Sequence, residues 1–328
     1  MSSASREEKL RAYAGRASER LVGAGQIMAA RQTMGGQARG NVPPWPGSED
    51  MDFHGTLSAI WVWLRAQALS GDDHFSLNIA AAWDFVNNNW DHFIPATLGP
   101  AASDEAAYDC AMVLRAALAD PEILQSDRDD DRRRDRAASA ARLLGAYVND
   151  LESPAGREFR DPGFLAWSLG EYARVVGDRG LSSMVRRFVE AAYGMKSPPP
   201  FTSEPVAQDG LFDFSCTTAT RVLAVLGAEG PTPFIGAWLR ERVVPSVARS
   251  FVARPLDENT WNACAALVAG QAFAMSTDPV FFELHGNVLA ELDRRAEQGA
   301  IGRQPGFSAE TAATFYYAMA VDAPLAKS

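Results

Sequence analysis

A unit of two helical segments recurs through this chain, and it limits the possible folds more than any other feature of the sequence. Each copy opens on an acidic residue or a Gly-Phe pair, runs into a very apolar helical segment, breaks, and continues into a more charged one. Asp52-Phe53-His54-Gly55 opens the first copy, with LSAIWVWLRAQAL as its apolar helix and DHFSLNIAAAWDFVNN as the partner. Ser103-Asp104-Glu105 opens the second (AAYDCAMVLRAAL, then DRAASAARLLGAYVNDL), and Asp161-Pro162-Gly163-Phe164 the third (LAWSLGEYARVV, then SSMVRRFVEAAYGM). The fourth begins at Asp209-Gly210-Leu211-Phe212-Asp213, the fifth at Asp257-Glu258-Asn259, and the sixth, SAETAATFYYAMAV after Gly306-Phe307, has no partner. Taking Asp52, Asp104, Asp161, Asp213, Asp257 and Glu310 as landmarks, successive separations are 52, 57, 52, 44 and 53 residues. A near-constant period of one helical hairpin is the mark of a repeat architecture.

Strict alternation of apolar and polar residues is scarce, so strands are not expected, whereas apolar residues at three-to-four spacing recur throughout. Six apolar helices need six partners. Five follow them in sequence, and an N-terminal helix with Leu10, Tyr13, Ala14, Ala17, Leu21 and Ala24 on one face supplies the sixth. The expected fold is therefore all-α, a closed (α/α)6 toroid forming one domain over residues 1–328. An open solenoid would need polar capping repeats at both ends, and the sixth unit is among the most apolar. Inner helices of a toroid touch neighbours on nearly every side and should be apolar all round, as LSAIWVWL is; outer helices should keep one charged face, as LAELDRRAEQ does. Residues 30–50, with Gly35-Gly36 and the Pro43-Pro44-Trp45-Pro46 cluster, and residues 195–208, with Pro198-Pro199-Pro200, read as loops that could cover the mouth of the cavity.

Composition narrows the function classes. The chain has 31 Lys plus Arg against 41 Asp plus Glu, a formal charge of -10 that disfavours nucleic acid and anionic membranes as partners. Cys110, Cys216 and Cys264 are too few and too scattered for a disulfide framework or zinc knuckle. SREEKLRAYAGRASERL near the start lacks the apolar run of a secretory signal, and the apolar stretch 263–275 is shorter than the ~20 residues a membrane span requires. A cytoplasmic protein acting on a small molecule, with no cofactor and no metal ligand spacing, is the expectation; the sequence is compatible with a homodimer and does not require one.

Gly163-Phe164, Gly210-Leu211-Phe212 and Gly306-Phe307, each just before an apolar helix, together with Gln208-Asp209-Gly210, resemble the Gly-aromatic openings of the prenyltransferase and squalene-cyclase repeat. The resemblance covers three of the six units. It implies the toroid of the terpenoid cyclase and protein prenyltransferase-like superfamily, with a central cavity for an apolar substrate. The Asp-x-Asp-Asp acid motif of such cyclases is absent, Leu256-Asp257-Glu258-Asn259 being nearest. Asp213, Cys216 and His285 lack the local Asp-x-Cys spacing of the prenyltransferase zinc site.

A toroid brings the openings of its inner helices around one mouth. Asp52, Asp104, Glu105, Asp161, Asp213, Asp257, Glu258 and Glu310 would then ring it, and clustered carboxylates in a partly apolar cavity raise one another's pKa. The competing role for each is helix capping; Asp213 and Asp257, flanked by apolar residues, are the best exceptions. His54 is the leading candidate for proton transfer, and Asp52, His54, Asp213 and Asp257 form the candidate catalytic set. Tyr108, Asp109, Trp167, Trp261, Asn262 and Tyr316 are candidate substrate contacts, with core packing the alternative for the tryptophans. Asp109 and Asn262, inside apolar helices, need buried partners. His74 and His92 read as surface residues, the cysteines as buried structural thiols, and the run Asp127–Arg136 as a solvated face or loop. The expected activity is acid/base cyclisation, isomerisation or dehydration of a largely apolar substrate. The alternatives are a carbohydrate-active (α/α)6 hydrolase, lyase or epimerase, and a non-catalytic binding or scaffold protein.

Overall fold

The first apolar helix of the repeat begins where the sequence pattern places it. In the computed structural model the Asp52 Oδ1 accepts the Gly55 N–H at 2.6 Å and caps α2 (Phe53–Ser70), supplying one of the acceptors that a helix N-terminus otherwise lacks. Gly71, at φ 76°, ends α2 by adopting a left-handed turn and donating its N–H to the Gln67 carbonyl, a conformation that favours glycine. The structure describes residues 21–44, 47–98, 104–125, 131–150 and 162–193, with the isolated positions Glu8, Glu19 and Glu283. Among the described residues all regular secondary structure is helical. Residues 21–31 form α1, followed after α2 by α3 (Ser76–Phe93), α4 (Asp104–Ala119), α5 (Pro121–Gln125), α6 (Arg132–Asp150), α7 (Pro162–Val176) and α8 (Arg179–Tyr193).

The helices pack in two rows. α4 lies between α2 and α7 in one row, and α6 lies between α3 and α8 in the other. The hairpin pairs α2 with α3, α4 with α6 and α7 with α8 join the rows. Burial follows the same division. Every α4 residue from 106 to 117 is buried except the half-buried Tyr108, whereas α6 buries Ala137, Ala140, Leu144, Tyr147 and Val148 and exposes Arg142, Ala146 and Asn149. Large side chains, notably Trp61, Trp63, Phe53, Trp83 and Phe85, fill the space around α2 and α3. Trp63 also ties down α1 through a 2.9 Å hydrogen bond from its Nε1 to the Gly25 carbonyl.

Two local features depart from the sequence reading. α5 was not anticipated, although its signal is present: Asp120 accepts the Glu122 N–H at 3.0 Å, and Pro121 occupies the first helical position that suits proline. The described part of the charged run, residues 131–136, is also less solvated than expected. Asp131 accepts the Arg133 N–H at 3.0 Å, starting α6 at Arg132 rather than Asp135. Arg132 and Arg136 then donate to the Asn87 carbonyl at 3.3 and 3.1 Å, and the Arg136 guanidinium lies 4.9 Å from the Trp90 ring centroid. These contacts dock the start of α6 onto α3.

Of the segment 30–50, expected as a loop that could cover the mouth, residues 30–31 belong to α1 and the described residues beyond them are anchored at the N-terminal end of α2. Asn41 Oδ1 accepts the Asp52 N–H at 2.8 Å, and the Val42 N–H donates to Thr56 Oγ1 at 2.9 Å. Gln32 holds the other side, donating to the carbonyls of Gly40 and Asn78. Gly40 has φ 94°, and a Cβ there would stand 1.8 Å from the Ala81 carbonyl oxygen. Gly40→Ala therefore meets both an unfavourable backbone conformation and a backbone clash, and should cost about 2 kcal/mol or more. Urea unfolding of the purified variant checks this; a loss below about 0.5 kcal/mol would mean that the loop does not need its glycine.

Candidate functional site

The N-terminal ends of α2 and α4 bring together residues separated by half a hundred positions in sequence. His54, two residues past the Asp52 cap, points its Nδ1 at Asp109 Oδ1, 2.9 Å away on the second turn of α4. The Asp109 side chain is only 7% exposed, whereas that of His54 is 40% exposed. Asp109 thus has the buried partner that its position inside an apolar helix requires. Tyr108 stands beside the pair, its ring centroid 5.2 Å from that of His54 at a tilt of 35°.

The electrostatics favour proton exchange at the imidazole. Burial works against the imidazolium, but the Asp109 hydrogen bond and the negative charges of Asp109, Asp52 and Glu105 outweigh it, holding the His54 pKa above its ordinary value. With Nδ1 engaged by Asp109, Nε2 is the nitrogen left to exchange a proton. Asp52 also sits above the usual carboxylate range. Burial is the main cause, and the neighbouring Asp109 and Glu105 charges add to it against the opposing Gly55 N–H and His54. Its carboxylate is a helix cap that also takes part in the local field. Cys110 is buried next to Asp109, and burial drives its thiol pKa far up, away from nucleophilic character.

Six residues past Asp109 on α4 and seven past His54 on α2, about 10 Å by the helical rise, a second buried group joins α2, α4 and α7. Arg115 of α4 is 2% exposed and pairs its Nη2 with Glu171 Oε2 of α7 at 2.5 Å. Its guanidinium carbon lies 3.8 Å from the Trp167 ring centroid and 5.5 Å from that of Trp61. Trp167, a candidate substrate wall by sequence, is buried in this cation–π contact. Arg65 of α2 is also within electrostatic reach of Glu171. None of Arg65, Arg115 and Glu171 stood out in the sequence, although a charged residue inside AMVLRAAL or SLGEYA is the signal that marks them.

His74 is exposed and pairs with Asp72 at 3.2 Å. His92 is exposed in the last turn of α3, which is longer than the sequence reading allowed. Asp213, Asp257, Trp261, Asn262 and Tyr316 lie outside the described residues, as do Cys216, Cys264 and His285. Among the described residues no helix is long and apolar enough to cross a membrane, and no group of three His, Cys, Asp or Glu side chains is arranged to hold a metal ion. No protein-family model, curated protein or solved structure matches this chain.

Proposed function

We propose that the chain is an enzyme that carries out acid/base cyclisation, isomerisation or dehydration of a largely apolar small molecule, using His54 as the proton carrier. The observation that carries this reading is the 2.9 Å contact between His54 and the buried Asp109, made across two inner helices at their N-terminal ends. A buried carboxylate on Nδ1 fixes the ring and stabilises its protonated form, which leaves Nε2 to take a proton from one substrate atom and return it to another. The two-row packing of α2, α4 and α7 against α3, α6 and α8 supports a toroid. Continued through the three remaining sequence units, the same pattern would close a ring around the end that holds His54.

Proton transfer at carbon leaves a label, so the reading can be tested before the substrate is known. The full chain is incubated in D2O with an extracted small-molecule pool, and products are followed by mass spectrometry. Deuterium should enter at least one apolar compound with the wild-type chain and enter about 100-fold more slowly with His54→Gln. Equal labelling by both proteins, or none by either, would remove the proposal and leave a scaffold with capped helices.

A further inference from the structure

A concave site lies away from the N-terminal helix ends that hold His54 and Asp109. Between α6, the C-terminal end of α7 and the first turns of α8 lies a groove of about 520 Å³, in the size range of small-molecule sites. Its α6 face is made of Ala138, Ala141, Gly145 and Ala146, and Leu181 and Met184 of α8 face it. Gly145 has a local reason: a Cβ there would come within 3.1 Å of Leu181 Cδ1 and 3.2 Å of Met184 Cε. Val176, at the rim, remains exposed, as does its neighbour Val175.

A stripe of small residues would not by itself make a site, but Tyr172 adds a polar group without a partner. The residue lines the groove and is only 7% exposed. Its hydroxyl makes no hydrogen bond with any described residue, so it is free to meet a ligand in the groove. Burial raises its pKa and the nearby Asp178 charge adds to this, so the hydroxyl stays neutral and keeps its proton to donate.

The remaining polar lining limits the charge of a ligand. Arg142 and Asp178 contribute one formal charge of each sign and Asn149 an uncharged amide, and Asp178 Oδ1 is already committed to the Leu181 N–H at 2.9 Å as the cap of α8. We propose that this groove binds an uncharged, mainly apolar small molecule with one hydrogen-bond acceptor, such as a ketone or ester carbonyl, which accepts a hydrogen bond from the Tyr172 hydroxyl. The aliphatic portion lies along the alanine face of α6 against Leu181 and Met184. This site is independent of the chemistry at His54.

The test uses the full-length chain carrying 13C-methyl methionine, with the Met184 signal assigned by its loss in Met184→Leu. Titration with 2-octanone should shift that signal saturably. Tyr172→Phe, which keeps the ring and removes the hydroxyl, should weaken binding about threefold to tenfold. Ala146→Trp, at an exposed α6 position, should abolish it by filling the groove. Absence of a saturable shift overturns the proposal, as does binding that survives Ala146→Trp or an affinity unchanged in folded Tyr172→Phe. Octanoate binding as tightly as the ketone would overturn the assignment of an uncharged ligand. Should Tyr172→Phe fail to fold, the Ala146→Trp and octanoate comparisons still decide.

Discussion

Arg115→Ala should lower the unfolding free energy by about 3–5 kcal/mol, the range for truncating a large buried group or breaking a buried ion pair. Several contributions point the same way. The guanidinium sits against the Trp167 ring and near that of Trp61, so its removal leaves a void between α2, α4 and α7. Glu171 loses its 2.5 Å partner, but at 34% exposure it can turn toward water or toward Arg174, 3.9 Å away. Most of the loss therefore comes from packing and cation–π contact, and only a minor share from a stranded charge. Arg115→Met makes that apportionment testable. An unbranched apolar side chain refills much of the space without needing a counterion, and it should recover more than half of the stability lost in the alanine variant. Urea unfolding followed by tryptophan fluorescence reads both variants. A loss under about 1 kcal/mol in Arg115→Ala would show that the row of α2, α4 and α7 does not depend on this residue.

The two-row packing was legible because it depends on coarse properties of the chain. LSAIWVWL is apolar on all sides and CAMVLRAAL is so except for Arg115, which is tolerable only for helices surrounded by others, and both lie in the row of α2, α4 and α7. Asp52 announced a helix start through its type and place, and its carboxylate does cap α2. The pairing of His54 with Asp109 was half legible. The sequence shows that a carboxylate inside DCAMVL needs a partner, but choosing among distant candidates depends on the rotation of α2 against α4, which no periodicity encodes. The Arg115 group was missed for a related reason. A lone arginine in an apolar helix reads as an interruption of the pattern until the neighbouring helices place Trp61, Trp167 and Glu171 around it. The docking of Arg132 and Arg136 onto Asn87 was hidden because a dense charge run has the composition of a solvated segment.

Asp109→Asn separates the proton-transfer reading from a purely structural one. Asparagine has nearly the same shape and can still hydrogen-bond the ring, but it removes the negative charge that most favours the imidazolium. Burial then acts on His54 with only the charges of Asp52 and Glu105 opposing it, so its NMR titration midpoint should fall relative to wild type. The consequence for stability has a definite sign. In the wild type the folded pKa lies above the ordinary value of 6.5, so the charged pair contributes fully below that pH and loses its contribution as pH rises through the folded value. The stability advantage of wild type over Asp109→Asn should therefore be largest in mild acid and narrow above pH 6.5. Deuterium labelling of the wild-type product should slow by about 10²–10⁴-fold in the same variant, the range for loss of a positioned acid/base group. A merely structural Asp109 predicts a stability loss with an unchanged His54 midpoint and unchanged labelling per folded molecule. That combination would sink the assignment of Asp109 as the residue that positions and charges His54.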